Sequence, residues 1–136
     1  MGDYAGALQA ALVAHLVADA PLAALIGGRV VDEPGQVALP YLQIASLDVA
    51  ADDTDLTTGA TVQVGLVVRT RPAAGKTEAQ AICGAAATAL HRRPEALDVA
   101  PFTISEIEVQ TWMVQREGNG LAYTGRLAAL AHMDAA

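Results

Sequence analysis

Residues Thr70 to Thr77, TRPAAGKT, form the stretch that most resembles a chemical site. It ends in Gly-Lys-Thr between a valine-rich segment and an alanine-rich one. A phosphate-binding loop ends the same way, with backbone amides wrapped around the phosphates and a lysine reaching them. That loop needs glycine where Thr70 stands, and Pro72 removes one of the amides. The stretch therefore reads as a polar loop running into a helix, with Thr77 and Gln80 at capping-box spacing.

A second constellation is acidic. Asp48, Asp52, Asp53 and Asp55 lie within one short segment. Four carboxylates can gather a divalent cation. The central glycine and the final glutamate of a calcium loop are missing, so the reading is a solvated acidic loop or an acidic assembly surface. His15, His91 and His132 are far apart and match no zinc spacing. His15 is expected at the edge of a helical core stripe and His91 at a helix C-terminus. Cys83 falls in an apolar helical stripe, which describes a buried, inert thiol. Arg92-Arg93 suits the C-terminal end of a helix dipole. Trp112 is expected in a core or an interface, where large aromatics act as anchors. No metal, cofactor or catalytic residue is expected.

Composition narrows the classes further. The chain has 136 residues, which predicts a single domain over residues 1–136. Hydrophobic residues make up 53%, but much of that is alanine, and aromatics are only 4%. Alanine buries little area, so the core gains less than the percentage implies, and burial against other subunits is a natural supplement. The net charge of −7 disfavours wrapping DNA, which needs a cationic face. With one cysteine, no internal disulfide is possible. Asp3 sits where a signal peptide carries Lys or Arg, and Asp19 and Pro21 interrupt the most apolar segment. The chain thus reads as a soluble protein made in the cytoplasm, with no membrane partner.

The elements follow from period and punctuation. Asp3 is placed to cap a helix over Tyr4–Ala18, with the stripe Tyr4, Leu8, Ala11, Leu12, His15, Leu16. Pro21 opens a short helix that ends at Gly27-Gly28. A short strand over Arg29–Val31 and a turn at Glu33–Gln36 follow. Strands are expected over Tyr41–Val49 and Ala60–Arg71, separated by the acidic loop from Ala50 to Gly59. A helix over Thr77–His91 carries the stripe Ala79, Ile82, Cys83, Ala86, Leu90. Strands over Phe102–Arg116 and Leu121–His132 close a hairpin at Gly118-Asn119-Gly120. The apolar phase slips near Ser105-Glu106, which predicts a bulge. This order specifies an α+β fold: a mainly antiparallel sheet of about four strands with the N-terminal and central helices packed on one face.

These patterns resemble a known family. ADAPLAALIGGRVVDE after an Ala/Leu helix, PYLQI opening a strand, GKTEAQAICGAAATAL after a valine-rich strand, and the closing LAYTGRLAAL are similar to the tail terminator, or tail-completion, proteins of siphovirus-like phages and gene transfer agents. The resemblance covers nearly the whole chain. It implies a structural protein without catalysis, located in the tail and neck of a phage-like particle and assembled in the bacterial cytoplasm. It implies a homo-oligomeric ring, commonly a hexamer, on the head-proximal end of the tail tube. The tail tube protein and a head–tail connector or stopper protein would be its partners, and DNA would pass through the lumen without specific binding. Asp48, Asp52, Asp53 and Asp55 are the candidate lumen or interface surface. Two other readings remain at this stage: a neighbouring connector or stopper ring, and a small nucleotide-binding protein using Thr70–Thr77.

Overall fold

The structure is a computed structural model that describes residues 2–51, 58–118, 120 and 122–135. Its N-terminus is built by two aspartate caps. The Asp3 carboxylate accepts from the Gly6 amide at 2.9 Å and starts helix α1 (Tyr4–Ala18). The Asp19 carboxylate accepts from the Leu22 amide at 3.1 Å and starts α2 (Ala20–Ile26), so the two helices meet at 82° with Asp19 as the corner. Gly27 ends α2 at φ 61°, a left-handed conformation that glycine adopts without a Cβ clash.

Strand β1 (Val30–Val31), β2 (Tyr41–Ala51) and β3 (Gly59–Thr70) follow. After a 3₁₀ turn at Pro72–Ala74 come α3 (Gly75–Leu90), a second 3₁₀ turn at Pro94–Ala96, β4 (Phe102–Arg116) and β5 (Tyr123–Ala135). The sheet order is β1-β2-β3-β5-β4. The neighbours β2 to β3, β3 to β5 and β5 to β4 are antiparallel, while β1 lies parallel to β2. The sheet is therefore five-stranded and mixed rather than four-stranded. The extra strand is two residues long and is held from outside its own sequence: the Leu42 amide donates to the Arg29 carbonyl at 3.0 Å, and Arg29 Nε donates to the Pro40 carbonyl at 2.7 Å.

Helix α3 begins two residues earlier than its sequence predicts. It runs directly out of the 3₁₀ turn, which places Thr77 and Gln80 inside the helix rather than in a capping box. Gln80 instead accepts from the Trp112 indole at 3.1 Å. The bulge expected near Ser105-Glu106 is present as a register shift between Ile104 and Glu106. Two more occur, between Val109 and Thr111 and between Ile44 and Ser46. In both, the apolar alternation is weak, so the sequence does not announce them.

The core draws on the expected stripes. Tyr4, Leu8, Ala11, Leu12 and Leu16 of α1 are buried, as are Ala79, Ile82, Cys83, Ala86 and Leu90 of α3. All of these except Ala79 meet Val62, Val64, Leu66 and Val68 of β3 and Leu127, Ala129, Ala131 and Met133 of β5 in one cluster. Helix α3 contacts β3, β4 and β5, and α1 contacts β1, β2 and β3. His15 is half-buried at the rim of α1, with Nε2 donating to the Ala89 carbonyl at 2.9 Å. Tyr4 packs on Phe102 with ring centroids 4.5 Å apart, tying the first helix to the start of β4.

The β4–β5 hairpin is braced at its turn. Arg69 Nε and Nη2 donate to the two Glu117 carboxylate oxygens at 2.7 and 2.9 Å, and the Thr124 hydroxyl donates to the same carboxylate at 2.8 Å. The Arg69 hydrogen bond holds the Glu117 carboxyl below the usual range. Its contribution is thus present above the ordinary carboxylate pKa and is lost as pH falls through the lowered one. Asn119 of the expected turn and Leu121 of the expected strand lie outside the described residues, but Gly120 sits at φ 70° and its amide donates to the Glu117 carbonyl at 2.9 Å. Gly120→Val should cost about 1 kcal/mol or more, because a β-branched residue resists positive φ. A denaturation midpoint equal to that of the wild type would show that this turn tolerates the strain.

Candidate functional site

In the phosphate-loop look-alike, Arg71 and the Gly75 amide are committed elsewhere. Thr70 is fully buried as the last residue of β3. Arg71 is ion-paired with Glu78 one turn into α3. That pairing, first through its hydrogen bond, lowers the Glu78 pKa and raises that of Arg71. The Gly75 amide is spent on the Pro72 carbonyl, closing the 3₁₀ turn. Lys76 and Thr77 are exposed on the first turn of α3. The strand that feeds this loop lies between two antiparallel neighbours, whereas a phosphate-binding loop follows a strand of a βαβ unit.

Asp48 is exposed on β2, opposite Gln63 of β3. Asp52, Asp53 and Asp55 lie outside the described residues. The three histidines stay apart. His15 is on α1, and His91 follows α3, with Nδ1 accepting from the Val109 amide at 3.0 Å. His132 is on β5, 3.3 Å from the Thr61 hydroxyl. Among the described residues, no three His, Cys, Asp or Glu side chains gather at metal-binding distance.

Cys83 is fully buried, and desolvation pushes its thiol up to about 11. The folded state therefore keeps the thiol neutral, and stability should fall as pH climbs from about 9, where the unfolded thiol ionises, towards 11. At neutral pH, maleimide or disulfide reagents should label Cys83 slowly without denaturant and quickly with it. Rapid labelling of the native protein would contradict this burial. Trp112, by contrast, is 41% exposed, with its neighbour Met113 at 51%.

A surface that residue types alone do not reveal lies across the middle of the sheet. Register aligns Ser46, Gly65, Ala128 and Thr111 in one row over four strands. The bulges beside Ser46 and Thr111 flank the row. Small side chains leave a shallow hollow of about 280 Å³, walled by Ala45, Val67, Met113 and Arg126. Charge is divided across this face. Arg126 and the Glu117-paired Arg69 lie on the hairpin side of the row; Asp48, Glu106 and the Arg92-paired Glu108 lie on the other. Ser46, Gly65 and Ala128 could be seen as small residues in sequence, but their alignment needs the register of four strands. Among the described residues, none lining the hollow is a buried acid, base or nucleophile. What the face offers is shape and charge for contact.

Residues 10–133 match the family model described as tail completion protein gp17. The chain is similar in structure to a chain in the virion of a native gene transfer agent particle, with a TM-score of 0.87. The two are 30% identical, and the match covers 98% of this chain and 99% of that one. No curated protein sequence matches.

Proposed function

Because the chain belongs to the tail completion protein gp17 family, we propose that it is the subunit that ends the tail tube of a phage-like particle and prepares it for the head. Its place is the particle's tail, and its role there is structural. In this reading residues 1–136 act as one domain without catalysis or cofactor. The copies form a ring of six on the head-proximal end of the tube. The ring stops tube growth and then joins the head–tail connector. The observation that carries the reading is the near full-length correspondence, in family and in fold, with a chain that works inside an assembled virion.

The physical properties support an assembly subunit. Helices α1 and α3 cover one face of the sheet and leave the opposite, charge-divided face to contact other molecules. The exposed side of α1 carries Ala10, Ala14, Val17 and Ala18 and no charged residue, an unusual surface for a helix left in water. DNA crosses the lumen without binding, since seven net negative charges per subunit repel phosphate. Asp48, Asp52, Asp53 and Asp55 are the proposed lumen or interface surface.

Particles lacking this protein should carry tails of uncontrolled length, or normal tails that fail to join filled heads, as counted by electron microscopy. Normal-length tails stably attached to heads in the deletion would remove the reading. Changing Asp52, Asp53 and Asp55 to Lys should leave the fold intact and slow DNA ejection or block docking. Wild-type transfer by those particles would show that these carboxylates are merely solvated.

A further inference from the structure

The two edges of the sheet are treated differently along their length. On β4, the outward backbone groups of the first half are capped. The Ile107 carbonyl accepts from the Arg92 amide at 2.8 Å, and the Val109 amide donates to His91 Nδ1 at 3.0 Å. Glu106 and Glu108 add charge to the same half. Capping and charge are the usual protections of an edge strand. Beyond the bulge at Val109 and Thr111 both protections stop. Gln110 to Gln115 carries no charge, and among the described residues none bonds to its outward backbone. Trp112 and Met113 stand exposed there, one on each face.

The opposite edge has a matching gap. β1 covers β2 only at Leu42 and Gln43. From Ile44 to Ala51, β2 has β3 as its only strand neighbour among the described residues. Val49 is exposed on this stretch. Among the described residues, the exposed large hydrophobics are Val17, Val49, Trp112 and Met113, so three of the four sit on these two open edges.

We infer that the open half of β4 pairs with the open edge of β2 in a second copy of this chain, so that the sheet continues from subunit to subunit. The inference rests on the ring reading and names its seam. Three features select this occupant. First, β2 and β4 run antiparallel within one subunit, so a β4–β2 junction continues the antiparallel alternation. Second, the faces agree. Trp112 shares a row with buried Leu127 and Leu66, and Val49 is paired with buried Val62, so both lie on the helix-bearing face and meet across the seam. Third, the charges are complementary. Asp48 is the only charged residue from Ile44 to Ala51 and lies on the face away from the helices, the same face on which Arg126 stands beside Met113. Joining two different edges is a heterologous contact, which propagates around a ring.

The test is cross-linking within the assembled protein, with sedimentation of the wild type beside it. Trp112→Cys is combined in turn with Leu47→Cys, Val49→Cys and Ala51→Cys, which share a face and cover a register slip of two residues. Facing strand positions fall within the Cα separation that a disulfide spans. Oxidation of at least one pair should give a ladder of covalent oligomers up to the ring number, with no ladder from either single variant. Trp112→Lys, an edge charge, should weaken assembly at least tenfold with an unchanged circular dichroism spectrum. Covalent dimers from Trp112→Cys alone would mean that β4 pairs with itself and would overturn the seam. Wild-type rings without a ladder from any pair, and indifferent to Trp112→Lys, would also overturn the seam while leaving the ring intact. Wild-type monomers at every concentration, even with tail tubes added, would overturn the ring itself and the seam with it.

Discussion

Gly125→Ala should destabilise the protein by about 1–3 kcal/mol, the usual cost of forcing an extra carbon into a packed core. Gly125 lies on β5, between β3 and β4, directly under α3. A Cβ there would stand 2.6 Å from Cys83 Sγ, 3.5 Å from Val68 Cβ and 3.6 Å from Val114 Cγ2. The sulfur is the close contact; the other two are ordinary. Adding Cys83→Ala to Gly125→Ala should therefore recover much of the loss, although Cys83→Ala alone should itself be mildly destabilising through lost burial. Urea denaturation of the two single variants and the double variant measures the coupling directly. Strictly additive losses would show that α3 shifts to make room and that the Gly125–Cys83 contact does not set the helix-to-sheet spacing.

Leu12→Ala should cost about 2–5 kcal/mol, the range for a fully buried leucine whose site cannot collapse. Leu12 is completely buried on α1 within the main core cluster. Ala11, Ala60, Ala79, Ala86, Ala89, Ala129 and Ala131 occupy core positions, so the large apolar groups are few and each carries more of the burial. Against a typical total of 5–15 kcal/mol, one such change removes a large share of stability. Ala10→Ser, on the exposed side of the same helix, should stay within about 0.5 kcal/mol. A loss below about 1 kcal/mol for Leu12→Ala would mean that α1 is not anchored by its stripe.

Local chemistry sets the outlines of this chain, and those outlines could be read directly. Asp3 and Asp19 cap because a short carboxylate reaches an amide three residues on, and Gly27 stops α2 because it can turn left-handed. The 3.6-residue stripe of α1 and the period-two run of β3 name their own buried faces. The family resemblance belongs to the same layer, since it is a string of such local signals in order. The caps, the two helix stripes and the β4 bulge near Ser105 needed nothing beyond neighbouring residues. Neither did the placement of Cys83 in the core.

Other features depended on partners remote in sequence. Thr77 and Gln80 have capping-box spacing, but Gln80 is claimed by Trp112, and Glu78 by Arg71. The two-residue β1 joins a sheet only because Arg29 reaches Pro40 and Leu42. The bulges at Ser46 and Thr111 are register events between strands, and only they bring Ser46, Gly65, Ala128 and Thr111 into one row. Asp48, grouped by charge with the acidic loop though inside the expected strand Tyr41–Val49, lies on β2 beside an open edge, which the sequence does not show. The sequence by itself determined which residues could be buried and where the two N-terminal helices start and stop, because those choices are made by backbone and side-chain preferences within a few residues. Only the tertiary structure decided which strand edges are left open and which charges face one another there, because edges and faces arise from pairing between segments that the chain order keeps far apart.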